Sequence, residues 1–193
     1  MSEAATLQRL RAMLRDEGGL IASLLDGNGD RARTAGGEHA TPVAAPRDDD
    51  ASPAHVAASG PRARARAADY ELLVEAIYEG YLLHYGAPRV VRAADADLRV
   101  LAGDRLYAIG LARLIELGDT PAVAELADTI TLSALAQGSG DARLADAVWV
   151  AGARAVGWGS SEQHRRAKEL VASRSPEAIE AMRTSALGVS GTP

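Results

Sequence analysis

The stretch LRVLAGDRLYAIGLARLI, residues 98–115, decides the fold because it places Gly103 and Asp104 inside an otherwise apolar helical pattern. Glycine in a helix interior costs about 1 kcal/mol relative to alanine, and an acid near a core-facing stripe is costly unless a partner compensates its charge. The small residues Ala102, Gly103 and Gly110 would let a neighbouring helix approach closely. A helix that is apolar on several sides is buried in its own fold or against a partner.

The composition favours packed helices. The chain has 193 residues, enough for one ordinary domain, and 47% of them are hydrophobic although phenylalanine is absent.

A net charge of −5 argues against general binding to nucleic acid. The absence of cysteine excludes disulfides and cysteine-based zinc sites. We expect neither a signal peptide nor a transmembrane segment, and a cytoplasmic location fits.

Changes in composition divide the chain into four parts. Residues 1–25 predict an amphipathic N-terminal helix that is weakened at Gly18 and Gly19. Residues 26–66, rich in Ala, Gly, Pro, Asp and Arg, predict a disordered insertion. Residues 67–187 predict an all-α domain, and residues 188–193 a flexible tail.

Two charged clusters lie in residues 26–66. The aspartates at 48–50 could bind a metal ion, but no rigid element precedes or follows them, so we expect solvated charges. The arginines Arg62, Arg64 and Arg66 could contact phosphates, but we expect them to balance nearby acids.

From residue 67 onward, apolar spacing and stop signals predict six helices joined by short connections, as in an antiparallel bundle. Asp69, Thr120, Asp141 and Ser160 or Ser161 are the expected N-terminal caps. The expected helices cover about 69–85, 94–117, 120–138, 141–157, 160–172 and 175 onward.

Residues 100–108, VLAGDRLYA, resemble the "vLaGDyLya" segment of trans-type polyprenyl diphosphate synthases and of their non-catalytic partner subunits. Ala136, Gln137 and Gly138, followed by Asp141, are similar to the "l..Gq..D" segment of the same family. The resemblance covers residues 71–159 and implies a truncated, isoprenoid-synthase-like antiparallel helical bundle.

Catalytic members of this family hold a diphosphate through Mg²⁺ on two DDxxD motifs, because the metal ions need several carboxylate ligands. In this chain the similarity to the first motif extends to His84, but Tyr85 and Gly86 stand where the aspartates belong. No Asp-Asp pair follows His84. The resemblance is therefore greatest to the non-catalytic small subunit, like component I of heptaprenyl diphosphate synthase.

This resemblance implies an accessory subunit of a heterodimeric long-chain synthase that makes isoprenoid quinone side chains. Such a subunit docks on the catalytic polyprenyl diphosphate synthase chain and shapes the product cavity; it binds no cofactor, and Mg²⁺ is expected on the catalytic partner. Peripheral membrane association of the complex is possible, and no catalytic or metal-binding residue is assigned here. The candidate interface and scaffold residues are Leu101, Gly103, Asp104, Leu106, Tyr107, Gly110 and Leu114.

Other interpretations stay open at this stage. Residues 98–115 could form the central core helix of a monomer, with Asp104 paired to an arginine or to His84. The chain could be a helical interaction or ligand-binding module unrelated to isoprenoids, or a prenyltransferase with unrecognised ligands. We expect Arg89 and Arg92 to be surface charges, and Trp149 and Trp158 to anchor the core or a partner surface.

Overall fold

The computed structural model describes residues 2–25 and 51–187. Within these ranges the regular secondary structure is helical, which confirms the all-α prediction. The aspartates at 48–50, the rest of the predicted insertion up to residue 50 and the predicted tail at 188–193 lie outside the described residues. The helices are α1 (Glu3–Glu17), α2 (Gly19–Ser23), α3 (Pro53–Ser59), α4 (Ala67–Tyr85), α5 (Ala96–Glu116), α6 (Thr120–Gly138), α7 (Ala142–Trp158), α8 (Glu162–Ala172) and α9 (Ala178–Leu187).

Helices α4 and α7 form the centre of the bundle. Helix α4 packs against α1, α3 and α5, and α7 packs against α3, α6 and α9. Nearly every side of α4 is covered, since Leu73, Ile77 and Tyr81 are all buried together with residues on its other faces. Trp149 of α7 is buried against the rings of Tyr78 and Tyr81, which confirms it as a core anchor.

Residues 51–66 are ordered, so the prediction of a disordered insertion is wrong for this part. Helix α3 begins after Ser52, whose side chain accepts a hydrogen bond from the His55 N–H. The buried face of α3 consists largely of alanines. The segment therefore lacks the regularly spaced large apolar residues from which a helix is predicted. The chain then passes Gly157 of α7 so closely that a Cβ on Gly60 would lie 2.1 Å from the Gly157 oxygen.

The arginines after α3 were expected to balance nearby acids, and Arg62 does so. Its Nη2 lies 2.9 Å from Oδ1 of Asp119, and its Nη1 donates to the backbone oxygen of Val156 at 2.9 Å. Arg66 lies 3.8 Å from Asp69, although both side chains are exposed. Arg62 therefore ties the segment after α3 to the start of α6 and the end of α7.

The N-terminal segment belongs to the same core as the rest of the chain. Leu10 and Leu14 of α1 are fully buried in the main hydrophobic cluster. The helix stops where it was expected to weaken, because Gly18 and Gly19 adopt φ angles of 68° and 59°, which favour glycine. Helix α2 then runs to Ser23, with Leu24 as its C-terminal cap.

Several predicted helix starts are confirmed and two are wrong. Asp141 and Ser161 cap α7 and α8 through their side-chain oxygens. Helix α4 starts before Asp69, because it continues directly from a 3₁₀ turn at Arg64–Arg66. Helix α6 is capped by Asp119, one residue before the predicted Thr120, and the Asp119 side chain accepts from the Ala122 N–H.

A cluster of buried polar side chains joins α6, α8 and α9. The His164 ring contacts Glu125 through Nε2 at 2.7 Å and Ser185 through Nδ1 at 3.1 Å. Lys168 adds a second contact to Glu125 at 3.0 Å. Burial by itself would raise the pKa of Glu125, but the hydrogen bonds and charges of His164 and Lys168 outweigh it and hold the pKa below its usual value.

Replacing this carboxylate tests the role of the group. Because the folded state lowers the Glu125 pKa, its stabilising effect is present above the unfolded-state pKa and is lost as pH falls through the lower folded-state pKa. Glu125→Gln should reduce the free energy of unfolding at pH 7 by about 1–3 kcal/mol. It should also flatten the loss of stability between neutral pH and about pH 3. Urea denaturation across this pH range measures both effects.

Asp128→Asn is the matched control, since Asp128 also contacts Lys168 but its side chain is largely exposed. This variant should change the free energy of unfolding by less than about 1 kcal/mol. Equal losses in the two variants would contradict a special role for the buried carboxylate.

Candidate functional site: the fifth helix and its neighbours

Glycines bring α4 and α5 into close contact. A Cβ on Gly80 would lie 3.0 Å from the backbone oxygen of Gly103, and a Cβ on Gly103 would lie 3.0 Å from that of Gly80. Two turns along α5, a Cβ on Gly110 would lie 2.4 Å from the Ile77 side chain. The two helices are antiparallel, since residues later in α5 meet residues earlier in α4. This geometry explains why glycine occurs within α5 despite its cost there.

Asp104 faces His84, the partner that the sequence offered as an alternative to an arginine. The His84 Nε2 lies 3.2 Å from Asp104 Oδ1, although the pair does not reach hydrogen-bond geometry. The imidazole stacks on the Tyr107 ring, with centroids 5.3 Å apart and planes 12° apart. Burial raises the pKa of Tyr107, so its hydroxyl stays protonated. Asp104 is largely exposed, so it lies at the rim of this contact.

The candidate interface and scaffold residues fall into two groups. Gly103, Leu106, Gly110 and Leu114 are buried within the fold and Tyr107 is half-buried, so these residues are scaffold. Helix α4 covers the side of α5 that carries Gly103, so docking through this helix, which stays a prediction, concerns its other sides. Leu101 differs, since 55% of it is exposed.

Among the described residues, the outer face of α5 exposes apolar side chains, and the ion pairs of Arg105 and Arg113 with Glu17 of α1 lie beside them. We call Leu101, Ala108, Ala112 and Ile115 the outer strip; all four are exposed, and Ile115 is 57% exposed. Their spacing of seven, four and three residues places them on one side of the helix. Val100, 48% exposed, flanks the strip. The sequence showed that α5 is apolar on several faces, but it did not show which face remains open.

The end of α4, where the family motif would lie, is closed by α5. Tyr85 packs against Tyr81 with ring centroids 5.4 Å apart. Arg99 of α5 donates to the backbone oxygens of Leu83 at 3.2 Å and of Gly86 at 2.9 Å. These bonds satisfy carbonyls at a helix C-terminus, which an α-helix leaves without internal partners. Tyr85 and Gly86 thus help to fix the helix end.

A polar contact reaches this region from α6. The Gln137 side chain donates to the Tyr81 hydroxyl at 2.6 Å. The segment 136–138 was noted from the sequence for its family resemblance, and the structure brings it next to the same aromatic cluster. Burial also raises the pKa of Tyr81 to about 12.

Arg89 is not the surface charge that the sequence predicted. Its side chain is mostly buried and contacts Glu75, while its Nη1 lies 2.9 Å from Glu3 of α1. Glu79 accepts hydrogen bonds from the backbone N–H groups of the loop that carries Arg89. The sequence feature that could have indicated a buried partner for Arg89 is the four-residue spacing of Glu71, Glu75 and Glu79. The same spacing is equally typical of an exposed helix face.

Trp158 lies at the surface, in contrast to Trp149. It is 37% exposed and carries the Arg154 guanidinium over its ring at 4.2 Å. Across residues 2–25 and 51–187, no three histidine or acidic side chains are gathered so as to hold a metal ion. In those same ranges, no helix is both long and apolar enough to cross a bilayer.

Comparison with known protein-family models, curated proteins and solved structures found no match to this chain.

Adding one methyl group at Gly103 tests the α4–α5 contact. In Gly103→Ala the new Cβ would lie 2.5 Å from His84 Nε2 and 3.0 Å from the Gly80 oxygen. We expect the free energy of unfolding to fall by about 1–3 kcal/mol, despite the better helix propensity of alanine. Urea denaturation monitored by circular dichroism measures the change.

Gly138→Ala provides the control, because a Cβ there meets nothing within 4 Å. This variant should leave stability unchanged or raise it by up to about 1 kcal/mol. In a His84→Ala background the Gly103→Ala loss should shrink, since the nearest clashing atom is gone. If Gly103→Ala matches Gly138→Ala, the close-contact interpretation is wrong.

Proposed function

We propose that this chain is the non-catalytic accessory subunit of a heterodimeric long-chain polyprenyl diphosphate synthase, with a truncated isoprenoid-synthase-like fold. The outer strip of α5 carries the proposal. It begins within the segment that resembles "vLaGDyLya", and it exposes aliphatic side chains on a helix whose opposite face is packed against α4. Exposed aliphatic side chains grouped on one helix face are typical of a surface that a partner covers.

The inner face of α5 supports this assignment by making the helix rigid. The glycine contact with Gly80 and the Asp104–His84–Tyr107 arrangement fix the rotation of α5 against α4. The outer strip is thereby held in a defined orientation before a partner binds. Preorganisation of this kind lowers the entropy cost of association.

The end of α4 supports a non-catalytic role. Tyr85 offers one phenol and Gly86 offers no side chain, so this position lacks the carboxylate density that a Mg²⁺–diphosphate complex requires. In the proposed complex, the catalytic subunit holds Mg²⁺ and both diphosphate substrates. This chain contributes helix packing at the interface, which limits the space that a growing prenyl product can occupy.

Charge substitution on the outer strip tests the docking surface. The Leu101→Glu/Ile115→Glu double variant should bind at least about tenfold more weakly to a DDxxD-containing synthase chain from the same genome, because each glutamate places a charge in an apolar contact. Affinity is measured by surface plasmon resonance with the purified pair. Product chain length from isopentenyl diphosphate and Mg²⁺ is measured in parallel.

Val150→Glu is the control, because Val150 is 44% exposed but lies on α7 rather than on the strip. It should leave both affinity and product length unchanged. If the two wild-type chains form no complex and the catalytic chain alone makes the same product, the proposed function is wrong. A helical module unrelated to isoprenoids would then be the better interpretation.

A further inference from the structure

Three glutamates line one side of α4 and are buried. Glu71, Glu75 and Glu79 follow each other at four-residue intervals, and Glu75 is 1% exposed. Glu79 is well satisfied, since its oxygens accept from the backbone N–H groups of Arg89 at 3.0 Å, Val90 at 2.6 Å and Val91 at 3.0 Å. Glu75 has no such backbone donors among its hydrogen bonds and depends on one guanidinium.

Arg89 is shared between the body of the protein and the N-terminal helix. It contacts Glu75 of α4, and its Nη1 donates to Glu3 of α1 at 2.9 Å. Its Nε lies 3.8 Å from Glu79, so one cation serves three carboxylates. Arg11 of α1 adds a bond to the Arg89 backbone oxygen at 3.2 Å. The position of α1 and the charge state of Glu75 are therefore coupled through Arg89.

The remaining charged and titratable groups around this cluster come from three directions. On α4 itself, the Tyr78 ring lies under the Arg89 guanidinium at 5.3 Å, and Glu71 lies one turn before Glu75. On α3, His55 Nδ1 lies 3.8 Å from Glu71 Oε1. On α1, Glu3 faces the cluster with the same sign of charge as Glu75.

We propose that Glu75 is a proton-controlled latch for α1: the helix packs tightly when Glu75 is protonated and opens locally more often when Glu75 is ionised. Gly18 and Gly19 supply the hinge, because they break the helical path between α1 and α2. Helix α2 keeps its own anchor, since the Leu24 oxygen accepts from the Arg92 N–H at 2.9 Å. Opening can therefore be confined to α1.

The direction of the effect follows from linkage. Burial raises the pKa of Glu75 to about 7; Arg89 opposes this shift, while Glu79, Glu3 and Glu71 add to it. Because Glu3 on docked α1 favours the neutral acid, docking favours protonation and protonation favours docking. Docking is therefore most stable below the lower pKa that Glu75 has when α1 is open, and it weakens as pH rises from there through about 7, the pKa with α1 docked.

Hydrogen exchange of the full chain, measured by mass spectrometry and corrected for intrinsic rates, tests the latch. Between about pH 5 and pH 8.5, opening of peptides from α1 should rise by about tenfold for each pKa unit by which docking raises the Glu75 pKa, with most of the rise below about pH 7. Peptides from α7 should not change. Glu75→Gln should remove the pH dependence and keep α1 protected at pH 8.5.

Two further variants keep the outcome decisive. His55→Gln should retain the wild-type pH dependence, which separates the effect of Glu75 from that of the neighbouring imidazole. Glu3→Gln alters an exposed side chain and should shift the midpoint to lower pH, even if Glu75→Gln fails to fold. Unchanged α1 exchange in the wild type, or a pH dependence abolished by His55→Gln alone, would overturn the proposal. Neither result bears on the outer strip of α5.

Discussion

The close approach of α4 and α5 is the constraint on which the rest of the structure depends. Gly80 and Gly103 oppose each other, and each would place a Cβ 3.0 Å from the backbone oxygen of the other. With the backbones in contact, His84 is held against Tyr107 and the end of α4 comes within reach of Arg99. A larger residue at Gly103 would require the His84 ring to shift, because its Cβ would lie 2.5 Å from His84 Nε2. The packing of the inner face of α5 therefore depends more on the close contact between the two backbones than on the apolar area that the face buries.

Close approach of the backbone at small residues also occurs elsewhere in the interior, which lacks phenylalanine. Helix α3 contributes alanines to α4 and α7, and Gly60 meets Gly157 where the chain crosses α7. Large side chains are concentrated at one point, where Tyr78 and Tyr81 pack against Trp149. Protein interiors are close-packed, so small residues on most helices require short distances between axes. The bundle is compact around its alanines and glycines.

The sequence predicted the long helices because their apolar spacing and caps are local signals. Asp141 and Ser161 cap the helices that they were expected to cap. Helix α3 was missed because alanine carries little hydrophobic contrast, and Asp69 was misassigned because a 3₁₀ turn leads directly into α4. The all-α class could thus be predicted, whereas the extent of order before residue 67 could not.

The candidate site was harder to predict, since it depends on contacts between residues distant in sequence. His84 was one of the two kinds of partner that the sequence offered for Asp104, because it lies on the neighbouring predicted helix, and the structure places the two side chains 3.2 Å apart. The burial of Arg89 was not anticipated, because its contact with Glu3 spans 86 positions and nothing local distinguishes it from a surface arginine. Among the described residues, Leu101 and Ile115 of the outer strip remain exposed while the opposite side of α5 is filled. Exposed aliphatic residues on a helix whose rotation is fixed gain stability from any further surface that covers them, and on α5 such a contact is open to the strip and closed to the buried Gly103.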